Sequence, residues 1–146
     1  RNSLIDISSM ASVSSGGAML RHEDESEAEV TREDQDNINK FARLNARLHE
    51  IRAEIKNVKR TLEGIDDAST ELMMGSGENV MVLFGGETFF EASEEAATEY
   101  CETQVEKFQT ELEKLSQEET SILDEQATLK KMLYGRFGKA IQLEEK

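Results

Sequence analysis

The 146-residue chain carries 31 acidic against 17 basic side chains, a net charge of −14, with no proline, no tryptophan and one cysteine. One cysteine closes no internal disulfide and, without a Cys/His cluster, builds no structural zinc site, so a disulfide-stapled secreted scaffold is excluded and a reducing compartment fits. The acidity argues against a duplex-DNA binder, whose phosphate affinity comes from clustered Lys and Arg, and no run of about 18 apolar residues offers a membrane span.

Residues 1–30 read as a disordered leader. Ser8 to Gly17 is rich in serine and glycine, and Glu23 to Glu29 is acidic without apolar period, so neither part offsets the entropy of ordering. Two arginines against six acids argue against a mitochondrial presequence. The chain begins at Arg1, which leaves Met10 and Met19 as candidate starts.

A first helix is expected over 31–73. Thr31 and Asp34 make a Thr-x-x-acid start signal, with Glu33, Asp34 and Asp36 where the helix dipole favours negative charge. Phe41, Leu44, Leu48, Ile51, Ile55, Val58, Leu62 and Ile65 then alternate steps of three and four. An average spacing of 3.5 keeps a narrow apolar stripe facing a partner helix, which is the sign of a coiled coil.

The connection is expected to be a β-hairpin over 79–91. Gly75, Ser76 and Gly77 end the helix; Val80, Met81, Val82, Leu83 and Phe84 form an apolar run; Gly85-Gly86 supplies a turn; Thr88, Phe89 and Phe90 return. Paired glycines between β-rich runs suit a tight primed turn, which needs positive φ. A second helix follows over 92–137. Cys101, Val105, Phe108, Leu112, Leu115, Ile122, Leu129 and Leu133 mark its seam, with Glu119 and Gln126 as polar intruders. Cys101 reads as a small packed side chain on that seam. A tail, 138–146, completes the chain.

These elements give a mainly α fold: a long antiparallel two-helix coiled coil joined by one hairpin, with helices of about 60 and 70 Å at 1.5 Å per residue. Residues 31–65 hold eight bases against six acids, and residues 66–125 hold seventeen acids against two bases. Such a bias suits either a solvated acidic face or a mildly basic helix lying along an acidic one. A lone two-stranded hairpin is marginal in water, and this one is apolar on both faces with two free edges. It can tuck against its own helices, or hairpins from several subunits can join edge to edge into an intersubunit β-barrel.

The segments Ile38-Asn39-Lys40-Phe41-Ala42-Arg43 and Leu133-Tyr134-Gly135-Arg136-Phe137-Gly138, the latter followed by Ile141, Leu143 and Glu144, together with a hairpin between matched coils, resemble β-type subunits of the prefoldin family over about residues 30–146. The resemblance implies a cytosolic heterohexamer of two α-type and four β-type subunits, with a double β-barrel body and six coiled-coil tentacles. Such a hexamer captures nascent or unfolded actin and tubulin without ATP and delivers them to the cytosolic group II chaperonin. It further implies that Val80, Met81, Val82, Leu83, Phe84, Phe89 and Phe90 serve assembly.

Client contact is expected where the outer helix ends meet, from Ile38, Phe41, Leu44, Leu133, Tyr134, Phe137, Ile141 and Leu143. For Phe41 and Leu133, both on the seam, capping of the coil is the competing role. Apolar surface there would bind non-native chains, with Lys40, Arg43, Arg47, Lys130, Lys131, Arg136 and Lys139 steering acidic clients or standing as a solvated rim. No catalytic, cofactor or metal site is expected: His22 lies in the leader, His49 stands between arginine-bearing and acidic positions, and Gly85-Gly86 lacks the lysine of a phosphate loop. The rival reading is a coiled-coil tether or scaffold whose hairpin is only a turn.

Overall fold

The computed structural model describes residues 29–75, 79–84 and 88–143, together with residues 5 and 6; of residues 5, 6, 83 and 84 only the backbone is described. In chain order the elements are β1 (Ile5–Asp6), α1 (Arg32–Met73), β2 (Val80–Phe84), β3 (Thr88–Ala92), α2 (Glu94–Phe137), a 3-10 turn (Gly138–Ala140) and β4 (Ile141–Gln142). The chain is mainly helical, with two long helices and one antiparallel hairpin, as the heptad and hairpin signals require. The Gly85-Gly86 turn, Ser76-Gly77 and most of the leader lie outside the described residues.

Both helices begin at capped ends. The Thr31 backbone N–H donates to Asp34 Oδ2 at 2.9 Å and the Asp34 N–H donates to Thr31 Oγ1 at 3.1 Å, a reciprocal capping box that satisfies two orphan donors. For α2 the cap is Ser93, whose Oγ accepts from the Ala96 N–H at 3.2 Å while its carbonyl accepts from Ala97. The helix therefore starts two residues later than the apolar pattern suggests, because Ala92 is still pairing with Val80 in the hairpin.

The chain divides into two compact units, Arg1–Arg52 with Gln117–Lys146, and Ala53–Ser116. In the first unit α1 and α2 pair antiparallel: Lys40 meets Glu125, Arg47 forks onto Glu118 with Nε to Oε1 at 2.8 Å and Nη2 to Oε2 at 3.1 Å, and Arg52 reaches Glu119 at 2.9 Å. Within this unit basic side chains of α1 thus meet acidic side chains of α2. Each of these pairs is solvent-exposed in part and contributes about 0–1 kcal/mol, so they select register more than they stabilise. Stability comes from the stripe beneath them, where Phe41, Leu48, Ile51, Ile122, Leu129 and Leu133 are buried.

In the second unit Val58, Ala97 and Leu115 are buried, whereas the seam residues Ile55, Leu62, Ile65, Cys101, Val105, Phe108 and Leu112 stay half-buried. Strand β2 pairs with β3 in the register Val80↔Ala92, Val82↔Phe90 and Phe84↔Thr88. The pleat puts Val80, Val82, Phe90 and Ala92 on one face and Met81, Phe89 and Glu91 on the other. The first face leans toward the unit's own helices: the Phe90 ring meets Tyr100 edge-on at 6.5 Å, and Val80 and Val82 line an open cleft of about 540 Å³ with Ile65, Leu72, Ala97 and Tyr100. The opposite face stays bare, with Met81 64% and Phe89 61% exposed. The first face is thus partly covered by the unit's own helices while Met81 and Phe89 stay exposed, because alternation sends Val80 and Val82 to the helix side.

Gln126, one of the two polar residues expected on the seam, is 5% exposed, and its Nε2 has no hydrogen-bond partner among the described residues. The other, Glu119, is satisfied by Arg52. An orphaned buried amide costs more than an apolar group of the same reach, so Gln126→Leu should raise unfolding stability by about 1 kcal/mol, read from the urea midpoint. A lowered midpoint would show that the amide is bonded after all.

Candidate functional site

The first candidate site forms where α1 begins and α2 ends, within the first unit. Gly138, at φ 55°, takes the left-handed conformation that releases the chain from α2. A side chain there would cost about 1–2 kcal/mol. One 3-10 turn later Ile141 is extended at φ −122° and ψ 138°, and the Leu143 N–H donates to the Tyr134 hydroxyl at 3.1 Å. These two devices turn the tail back onto the helix pair.

The result is a single cluster of Ile38, Phe41, Leu129, Leu133, Phe137, Ala140, Ile141 and Leu143, with Leu44 and Tyr134 packed against it. It contains all eight residues expected at the client-binding tip. Their exposure is what differs from expectation. Ile38, Phe41, Leu133, Phe137, Ile141 and Leu143 are each at most 3% exposed, so they form a core rather than an apolar surface. The tail supplies the reason: two helices alone leave the outer flank of the stripe open, and Ala140, Ile141 and Leu143 cover it. Apolar surface remains beside this core at Met132 (45%).

An ion pair between a buried carboxylate and an exposed guanidinium closes the same end. Arg136 donates from Nε to Asp34 Oδ1 at 2.8 Å and from Nη2 to Oδ2 at 2.6 Å, and Nη2 also donates to the Glu29 carbonyl at 3.0 Å. Asp34 is 5% exposed and accepts from Thr31 as well. The Arg136 fork, aided by the Thr31 backbone and hydroxyl, holds the Asp34 carboxyl at about 2 against an ordinary 3.8, although burial pulls the other way. Arg47 likewise lowers Glu118 through its hydrogen bonds. Arg136, Arg47 and Lys40, expected on a steering rim, are thus engaged in ion pairs, and the Lys130 ammonium lies over the Phe41 ring at 5.9 Å. Sequence reasoning saw Asp34 as a cap and Arg136 as rim. Nothing local joins residues 102 apart, so the clamp between them was not legible.

The second candidate site is the bare hairpin face of the other unit, carrying Met81 and Phe89. Phe90 is also 41% exposed, while Val80 and Val82 are half-buried. Leu83 and Phe84 belong to β2, directly opposite Phe89 and Thr88. Among the described residues no three His, Cys, Asp or Glu side chains are placed to hold a metal, and no helix is long and apolar enough to cross a membrane.

A sequence profile described as prefoldin subunit matches residues 35–140. The chain belongs to the prefoldin subunit family. Proteins named prefoldin subunit 4 from Bos taurus and Homo sapiens are each 36% identical over 116 residues, covering 79% of this chain and 87% of theirs. The probable prefoldin subunit 4 of Dictyostelium discoideum is 33% identical over 119 residues, covering 82% and 90%. Among solved structures, the prefoldin beta subunit from Thermococcus strain KS-1 superposes with a TM-score of 0.66 at 12% identity, spanning 76% of this chain and 97% of that one, a likeness of fold. Prefoldin membership makes this chain a chaperone subunit that assembles with other prefoldin subunits, in a family of co-chaperones rather than enzymes.

The lowered Asp34 carboxyl makes stability pH-dependent with a defined sign. Its charged form is favoured in the folded state, so the contribution is complete above about pH 4 and is lost as pH falls toward 2. Asp34→Asn should cost about 1–3 kcal/mol at neutral pH and flatten the acid limb of the unfolding curve between pH 4 and 2, as followed by circular dichroism. An acid limb identical to that of the parent chain would rule out the clamp.

Proposed function

We propose that this chain is one arm of a cytoplasmic heterohexameric prefoldin of two α-type and four β-type subunits. It would capture unfolded or nascent actin and tubulin without ATP and pass them to the cytosolic group II chaperonin. The observation that carries the reading is the bare hairpin face. Met81 and Phe89 stand mostly in solvent on a two-stranded sheet with unpaired edges, and such a sheet is marginal until further strands join it. Strands from neighbouring subunits would cover that face and abolish the edges, which gives Val80, Met81, Val82, Leu83, Phe84, Phe89 and Phe90 their role in assembly.

Client contact is assigned to the surface around the helix-end cluster. The buried side chains Ile38, Phe41, Leu133, Phe137, Ile141 and Leu143 act as its scaffold, and half-buried Leu44 and Tyr134 with exposed Met132 provide apolar contact. Non-native chains display apolar groups that a folded surface of this kind can cover for as long as they stay unfolded.

Two variants separate assembly from capture. Met81→Asp with Phe89→Asp places charge on the bare face and should abolish hexamer formation on coexpression, read by light scattering, with helical circular dichroism unchanged. A normal hexamer would refute the role of that face in assembly. Met132→Glu should leave hexamer mass intact while suppressing the aggregation of unfolded actin less effectively than the parent complex. Equal suppression would move client contact elsewhere.

A further inference from the structure

The leader, which composition marks as lacking any fold of its own, nevertheless contributes one pairing. Ile5 and Asp6 form β1, hydrogen-bonded in parallel to β4 with Ile5 opposite Ile141 and Asp6 opposite Gln142. The partner strand is held ready for this. Ile141 and Leu143 are buried and Gln142 between them is half-buried, the alternation of a strand with one face on the core. Ile141 is already extended, and the Leu143 N–H is anchored by the Tyr134 hydroxyl. A strand so fixed, with an edge left unpaired by its own helices, is a template for any extended chain.

We propose that the edge of β4 that β1 occupies is a strand-addition site, filled reversibly by Ile5–Asp6 of the same chain. Recognition runs through the backbone, so it asks of the occupant only an extended conformation and available N–H and C=O groups. Two residues of ladder make a weak contact, and a covalent tether compensates by supplying an effective concentration of about millimolar. The edge is therefore filled in cis yet readily vacated. Extended segments of an unfolded client would meet it already engaged, a consequence that rests on the chaperone reading above, whereas the docking itself does not.

The test uses the full chain in the coexpressed complex, parent against Ile5→Pro with Asp6→Pro. Proline has no N–H and cannot join a ladder, and both positions lie outside the helices. Hydrogen exchange of the segment 140–143 should quicken about fivefold in the variant, the ratio expected for losing one weak hydrogen bond. A synthetic peptide of residues 1–10, added at about millimolar concentration to match the tether, should restore slow exchange, and the same peptide with both prolines should not. Unchanged exchange in the variant overturns the proposal, as does failure of the parent peptide to restore it.

Discussion

Two helices packed side by side can hide only one stripe each, and the half-buried seam of the second unit shows what that limit means. Ile55, Leu62, Ile65, Val105 and Phe108 stand at heptad positions and still keep part of their surface in water. A stripe three and four residues apart is wide enough to specify a partner and too narrow to enclose a core. Every other feature of the chain answers this shortage of cover. In the first unit the answer is internal, because the tail turns back and encloses Phe41, Leu133 and Phe137. In the second the hairpin meets its own helices with one face, and Met81 and Phe89 on the other stay exposed.

The first unit also shows how polar groups secure such a closure. Asp34 does three things at once: it completes the cap of α1, accepts the Arg136 fork from α2, and lies buried beside the tail. A buried carboxylate is tolerated only when its charge and lone pairs are matched, and here the guanidinium and Thr31 match them. Truncating Arg136 would strand the buried carboxylate. The exposed pairs of Lys40, Arg47 and Arg52 have no such leverage, although they record the antiparallel register just as clearly.

Burial of the helix-end cluster changes how client capture is understood. A chaperone arm whose apolar residues all faced solvent would be an aggregation hazard in its own right. Here most of the aromatic and aliphatic payload is sheltered, and Met132 is the exposed exception beside it. On the proposed reading, contact there would be weak for any one arm, and an assembly of several arms would compensate through multivalency.

Much of this was legible in the sequence. Heptad steps mark two coils because 3.5-residue spacing has no other geometric use; Thr31 and Asp34 announce a helix start because their bond spans only three residues; and an apolar run followed by paired glycines and Thr88-Phe89-Phe90 announces a hairpin. These are local relations, and local physics decides them. Tertiary structure alone decided three things: that Arg136 binds Asp34 rather than a client, that Ile141 and Leu143 face inward, and that a leader without apolar period adds a strand to β4. Each depends on residues about a hundred or more positions apart meeting after the helices have paired. Spacing along the chain carries no record of a contact that exists only once another element has brought its two halves together.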